Sequence, residues 1–355
     1  MLNVIGILLA YPTYKGILRH QTGYESIELY NKAAEELGLI PFYMTLRHVG
    51  TKSALGLSYE NHTYMLKRLP IPKVIHNRAM TLTMSSQRKI QQMAKISHIF
   101  NGQTRYDKLF IHRLLRKQKD ATDFLPKTIT CSFNNLIKAL LTYPSFFVKP
   151  TSSSVGKGIL RVTAMPDAKW QVCWQDQVPR LLDAQKTYDF ILQKTRGKKY
   201  LIQEAISLAM HEGRPYDLRV TVQRGDRGVW QVSGIAGKVA AKDRHVTNLA
   251  RGGTAMRCET LFVASGFDPR KKREEVEQAA LQIAESLSGQ IPSISDVGMD
   301  IGIDDQGDIW LIEVNGRDQR YQYKHLKLDK TFYRTYETPM QYAKFLLSQG
   351  TEQEM

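Results

Sequence analysis

Asp300, Glu313 and Asn315 stand near the end of the chain in the stretch GMDIGIDDQGDIWLIEVNG, which runs from Gly298 to Gly316. Two apolar-alternating runs, Met299 to Ile303 and Ile309 to Val314, are separated by Asp304-Asp305-Gln306-Gly307-Asp308, a pattern that predicts an antiparallel hairpin. Folding back brings Asp300 close to Glu313. Side chains alternate along a strand, so Glu313 and Asn315 share a face that Asp300 meets from the neighbouring strand. Two carboxylates and an amide oxygen then converge and repel one another unless a hard cation sits among them. Mg2+ typically takes one or two carboxylates together with phosphate oxygens and water, so the triad predicts a site for Mg2+ and a nucleotide. The other reading, an ordinary surface hairpin with solvated acids, stays open on this stretch alone.

A second informative stretch is FFVKPTSSSVGKGI, from Phe146 to Ile159. It is not a P-loop. Thr151 stands where the first glycine belongs, and Lys157 is followed by Gly158 where Ser or Thr is required. The residues after it, Ile159 to Val162, read as a strand. A small-residue loop between two strands makes a flap over residues 151–158, in which Ser153, Ser154 and Gly156 let backbone N–H groups approach phosphates. Lys149, on the strand before it, adds a point charge. A plain flexible hairpin is the alternative.

Between flap and acidic hairpin, Tyr200 to Ile206 is an apolar strand ending in the polar pair Gln203-Glu204. A strand that runs into a linker can offer backbone groups to an adenine, and Asp217 can take a ribose hydroxyl. Arg219, Lys238 and Arg251 follow at intervals and together can neutralise a triphosphate. Taken singly, each is equally a solvated charge on a sheet face.

The elements that must position these residues fall into two regimes. Val4 to Leu9, a helix from Glu25 to Leu37 stopped by Gly38, and Ile40 to Leu46 form a strand, helix, strand unit that opens an α/β domain. Leu66 to Asn77 reads as a loop into a strand, followed by a polar helix from Ser85 to Ile96. A basic amphipathic helix spans Asp107 to Lys117, and Ser132 caps a helix running to Thr142. Hairpin-rich β structure follows at 146–149, 159–163, 200–203, 218–224 and 229–241. Helices from Glu274 to Leu287 and Pro339 to Leu347 complete the pattern, α/β followed by α+β.

With 355 residues, 42% apolar and 24% charged, the chain is long enough for two or three domains. A formal charge of +16 favours anionic partners without choosing among them. Cys131, Cys173 and Cys258 show no paired or metal-ligand spacing, which predicts free thiols in a reducing compartment and no zinc site. Val4 to Leu9 lacks a basic flank and falls far below the ~18 residues needed to span a bilayer, so a buried strand and a cytosolic protein are expected.

In order along the chain, the lysine before a small-residue flap, the Gln203-Glu204 hinge, Asp217-Leu-Arg219, Asn248-Leu-Ala-Arg251-Gly252-Gly253, Gly298-Met-Asp300 and Glu313-Val-Asn315 resemble the ATP-grasp superfamily over roughly residues 100 to 320. The Asn248 block resembles the ligases that add glutamate to a ribosomal protein, relatives of glutathione synthetase. With Ile5-Gly-Ile-Leu at its start and His76-Asn77-Arg78 before the second domain, the whole chain resembles the YheC/YheD group of endospore coat-associated proteins. This resemblance implies an open α/β N-terminal domain (1–100) and two α+β ATP-grasp subdomains (101–203 and 204–355) with ATP between them. It implies phosphate contacts from Lys108 and Lys149, adenine at Glu204 and Ala205 with Gln203 and Ile206 alongside, ribose at Asp217, a nucleotide role for Asn248, and Mg2+ on Asp300, Glu313 and Asn315. Two departures stand out. Val246 occupies the place of an expected arginine, with Arg244 and His245 upstream, and Gly316-Arg317-Asp318-Gln319-Arg320 replaces a small residue followed by Pro-Gly.

The chemistry expected is a carboxylate–amine ligation through an acyl phosphate, which needs positioned charge more than a covalent nucleophile. From Arg317 to Arg334 the cations Arg317, Arg320, Lys324, Lys327, Lys330 and Arg334 outnumber Asp318 and Asp329. That bias predicts an acidic amino acid, peptide or coat-protein substrate oriented by Arg317 or Arg320, or else a solvated basic surface. The rival class is a nucleotide-binding coat or assembly protein without turnover. Specific nucleic-acid binding comes last, since no aromatic residues interleave with the basic runs in a recognisable module.

Overall fold

A computed structural model of the chain describes residues 3–153, 156–175, 177–242, 247, 249 and 252–352. The first sheet has Val4–Leu8 at its centre, with Ile40–Met44, Val74–Asn77 and His98–Phe100 parallel to it. Every residue of Val4–Leu8 is buried, as befits a strand covered on both faces. Ile5 and Ile7 face the helix Ile27–Glu36, while Val4 and Leu8 face the helix Met84–Met93. An antiparallel hairpin, Ser53–Glu60 with Thr63–Pro70, extends one edge where the sequence pattern predicts a loop. Its outer strand carries Lys67, Arg68 and Pro70, residues that blunt a sheet edge and by the same token mask a strand signal.

The second sheet is antiparallel, in the order Arg180–Leu182, Lys169–Trp174, Leu160–Met165, Ser145–Pro150, Tyr200–Glu204, Thr128–Thr130. Helices Phe133–Thr142 and Ala184–Thr195 cover one face, where Leu136, Ala139 and Ile191 meet Phe146, Val148, Leu160 and Ile202. Alternation sends Phe147 and Lys149 to the opposite face, beside Gln203 and Leu201 of the neighbouring strand.

Thr254–Met256, Trp230–Val239, Arg214–Arg224, Asp296–Ile303 and Ile309–Asn315 make up the third sheet, with Met210–His211 paired beside Arg214–Arg224. The helix Pro269–Ser288 starts on Asp268, whose carboxylate accepts from the Lys271 N–H at 2.7 Å. It lays Val276, Ala280, Ile283 and Leu287 on Leu218, Val220, Val222, Val297, Met299 and Ile301. The alternate residues of those strands are polar or glycine and face the other way.

The last helix is longer than its sequence pattern predicts. It spans Asp329–Glu352 with Pro339 inside it rather than at its start. A proline there has no N–H for the carbonyl four residues back, Thr335. Gln223 supplies the missing donor, its Nε2 lying 2.9 Å from the Thr335 carbonyl oxygen. Tyr336, Met340 and Ala343 of this helix, with Tyr323, join Ile5, Ile7 and Tyr30 in one core. The C-terminal segment therefore completes the first sheet's packing as well as following the third.

Candidate functional site

Register on the polar face of the third sheet assembles the site. Arg219 pairs across with Asp300, Asp300 with Glu313, and Asp217 with Lys238. Residues directly opposite in an antiparallel pair point the same way, so these five side chains lie side by side. Asn315, two residues beyond Glu313, lies opposite Gly298 on that face. A bulge at Ile312 shifts the register immediately after Asp300.

The carboxylates are closely partnered. Asp300 Oδ1 lies 2.9 Å from Arg219 Nε and 2.7 Å from Lys238 Nζ. Burial opposes its ionisation, but the two cations outweigh burial and hold the carboxyl well below the usual range. Lys238 also bridges to Asp217 at 3.0 Å, and the Asp217 carboxylate accepts from Thr247 Oγ1 at 2.5 Å. Burial, against the pull of Lys238 and together with repulsion from Asp300, pushes Asp217 upward. Glu313 Oε1 accepts from Lys108 Nζ at 2.6 Å.

Lys108 comes from the start of the helix Lys108–Leu115, which Asp107 caps through the Leu109 and Phe110 N–H groups. Its backbone N–H donates to the Thr151 carbonyl and its Nζ reaches the Ser153 carbonyl at 3.3 Å, so the base of the flap is tied to the helix that faces Glu313. Lys149 Nζ donates to Gln203 Oε1 at 2.7 Å, while Gln203 Nε2 donates to Thr128 Oγ1. Burial and the nearby Lys108 ammonium pull Lys149 down to about 8.

A cleft of about 1770 Å³ of open space separates the second and third sheets. Lys108, Lys149, Ser153, Gly156, Gln203, Glu204, Ile206, Asp217, Arg219, Lys238, Asp300, Glu313, Asn315 and Arg317 all line it. Glu204 and Ile206 line the cleft, whereas Ala205 between them does not, and its N–H is engaged by the Ser145 carbonyl. Ser154, Asn248 and Arg251, with Arg244, His245 and Val246, lie outside the described residues.

Among the described residues no group of three or more His, Cys, Asp or Glu side chains is placed to hold a metal ion. Asp300, Glu313 and Asn315 offer two carboxylates and one amide oxygen. That donor set suits a hard cation which brings phosphate oxygens with it and does not suit zinc.

Arg320 departs from its expected role. It is fully buried, ion-paired to Asp296 and stacked over the Tyr336 ring at 4.8 Å, so it cannot orient a substrate in the cleft. Asp296 also accepts from His76 Nε2 at 3.1 Å and Gln223 Nε2 at 2.9 Å, and Arg78 Nη2 bridges Glu25 at 2.9 Å. Glu25 in turn holds Arg317 at 3.0 Å. The other C-terminal cations disperse: Lys330 and Arg334 line a separate groove beside Trp230. Of the expected basic patch, Arg317 alone reaches the cleft among the described residues. Sequence reading missed this buried ionic cluster because its members lie up to some three hundred positions apart. The one local signal was an isolated His76-Asn77-Arg78 ending an apolar strand.

The model of YheC/D-like ATP-grasp proteins matches residues 97–346. Endospore coat-associated protein YheD of Bacillus subtilis (strain 168) is 27% identical over 319 residues, covering 82% of this chain and 66% of that protein. The chain thus spans just under two thirds of that relative's length. The structure is similar to D-cycloserine synthetase DcsG, with a TM-score of 0.55 and 11% identity over 96% of this chain and 100% of that one. It is also similar to the ATP-grasp ligase PsnB complexed with a phosphomimetic variant of its minimal precursor, Mg and ADP, with a TM-score of 0.52 and 12% identity over 93% and 98% of the two chains. At such identities the likeness is one of fold, three sheets with the cleft between the second and third. By its sequence match over residues 97–346, this chain belongs to the YheC/D-like ATP-grasp family.

Proposed function

We propose that the chain is an ATP-dependent carboxylate–amine ligase acting through an acyl phosphate on an acidic amino acid, peptide or protein. The observation that carries this reading is the convergence on one cleft of Lys108, Lys149, Arg219 and Lys238 with Asp300, Glu313 and Asn315. The lining holds six cationic against four anionic side chains among the described residues, a balance suited to a triphosphate and an anionic co-substrate. Bound Mg2+ would neutralise charge developing on the transferring phosphoryl group, held by Asp300, Glu313 and Asn315. Lys108 and Lys149 would bind phosphate oxygens, Glu204 and Ile206 the adenine, and Arg219 and Lys238 would stabilise charge where acyl and phosphoryl groups meet. The flap at 151–158 would exclude water from the acyl phosphate. Arg317 would hold the acidic co-substrate, its guanidinium already presented by Glu25.

A second reading is nucleotide binding without turnover in a spore-coat setting. It is favoured by the self-neutralised state of Asp300 and Glu313, each already ion-paired to the protein's own cations, and by the coat-associated relative. Mass spectrometry of products after incubation with Mg-ATP, pooled amino acids, short acidic peptides and coat-protein extract separates the two. A mass gain of one amino acid residue on any component supports ligation. Mg-ATP binding with neither product nor ADP formed supports the second reading.

A further inference from the structure

Arg219 is gripped by two carboxylates, not one. Its Nε meets Asp300 Oδ1 and its Nη1 meets Asp318 Oδ1, both at 2.9 Å. Asp318 is fully buried and does not line the cleft. Its second oxygen accepts from Thr221 Oγ1 at 2.5 Å, and the Thr221 hydroxyl lies 2.8 Å from the Tyr323 hydroxyl. Its backbone carbonyl accepts from Arg78 Nη2 of the first domain at 2.7 Å. Gly298 permits this approach, since a Cβ there would lie 2.3 Å from Asp318 Oδ1.

We propose that Asp318 is a positioning residue that holds the Arg219 guanidinium in its cleft-facing orientation when Asp300 is drawn toward a cation. The inference rests on the ligase reading for its kinetic consequence only. Both partners of Asp300, Arg219 and Lys238, compete with any cation for the same carboxylate. When that carboxylate turns to a metal, Arg219 loses the bond at Nε, and a guanidinium on a flexible stem would then swing. Asp318 retains the bond at Nη1 because it is itself fixed from two sides, by Thr221 at the side chain and by Arg78 at the backbone. Arg219 is thereby left presenting its remaining nitrogen to the reacting groups. Asp318 lies within the segment that replaces the small residue and Pro-Gly expected after Asn315, so the device belongs to this chain's departure from the superfamily pattern.

The test uses the full chain with Asp318→Asn, which keeps shape and removes the charge. ADP release from Mg-ATP with an acidic co-substrate should fall 10- to 100-fold in kcat, the usual range for loss of an orienting partner, with KM for Mg-ATP within twofold. In an Arg219→Lys background the same change should add less than about twofold, because the two act as one unit. Independently of turnover, the Arg219 Nη1–H resonance in the Mg-ATP-loaded chain, assigned by its loss in Arg219→Lys, should be resolved and slowly exchanging in the parent and should merge with exposed arginines in Asp318→Asn. Should that variant fail to fold, Thr221→Val, which keeps the carboxylate and frees its second oxygen, should broaden the same resonance. An unchanged Arg219 resonance, or an undiminished penalty in the Arg219→Lys background, overturns the proposal. A parent that releases no ADP overturns the ligase reading, while the resonance still decides the role of Asp318.

Discussion

Lys149 makes the nucleotide reading answerable by pH. Burial and the Lys108 ammonium bring its ammonium down to about 8 from the usual lysine range. A polyphosphate beside it favours the charged form, so binding must raise that value. Below pH 8 the free protein already carries the proton, and affinity for Mg-ATP should be flat with respect to this group. Above pH 8 the complex must take up a proton that the free protein has lost, so affinity should fall by about tenfold between pH 7 and pH 9, each pH unit past the free value costing ~1.4 kcal/mol of binding. Calorimetry at pH 8.5 in two buffers of different ionisation enthalpy should show net uptake of about three quarters of a proton per nucleotide. Lys149→Arg stays charged throughout and should abolish both the slope and the uptake. Binding that is equally tight at pH 7 and pH 9 in the parent would refute the placement of Lys149 on phosphate.

Glu313→Gln keeps shape and removes one charge from the cation donors, so Mg-dependent turnover should drop by orders of magnitude while the circular-dichroism melt stays close to the parent's. Gln223→Met withdraws one donor from the Thr335 carbonyl left open by Pro339 and another from Asp296. It should destabilise by about 2–4 kcal/mol in urea unfolding, and a change under 0.5 kcal/mol would show the proline needs no such partner. Burial opposes ionisation of Glu25, but Arg78, Arg317 and Arg320 prevail and bring it to about 2, below its unfolded value. Its contribution, up to about 3 kcal/mol, is therefore complete above pH 4.5 and should disappear as pH falls from 4.5 to 2. Thermal melts of Glu25→Gln against the parent should converge in that window and differ above it. The flap at 151–158 offers little apolar area, so its amide exchange should slow when Mg-ATP is added, and equal protection with and without nucleotide would count against a covering role.

Much of the site could be read from local pattern because its chemistry follows strand alternation. The turn after Ile303 and the apolar runs beside it make the hairpin legible and bring Asp300 close to Glu313, the bulge at Ile312 sets the two directly opposite, and a period of two then places Asn315 on the same side. Helix starts at Asp107 and Ser132 were legible for a similar reason, since a cap acts within three residues of itself. The hairpin at 53–70 and the helix Ala184–Thr195 escaped notice because edge charge and a mixed polar face weaken their periodicity.

Tertiary structure alone decided the fate of the arginines. Composition shows a basic segment after Asn315, and chain connectivity keeps Arg317 near the centre, but nothing local distinguishes Arg317 from Arg320. One lines the cleft beside Glu25, whereas the other is sealed against Asp296 and Tyr336. The same holds for Pro339, which by its neighbours marks a helix start yet sits inside a helix whose open Thr335 carbonyl accepts from Gln223. Local sequence sets backbone period and capping because those depend on residues within a few positions. Which charge is buried and which is offered to a ligand depends on partners hundreds of positions away, and only the folded arrangement brings those partners within hydrogen-bonding distance.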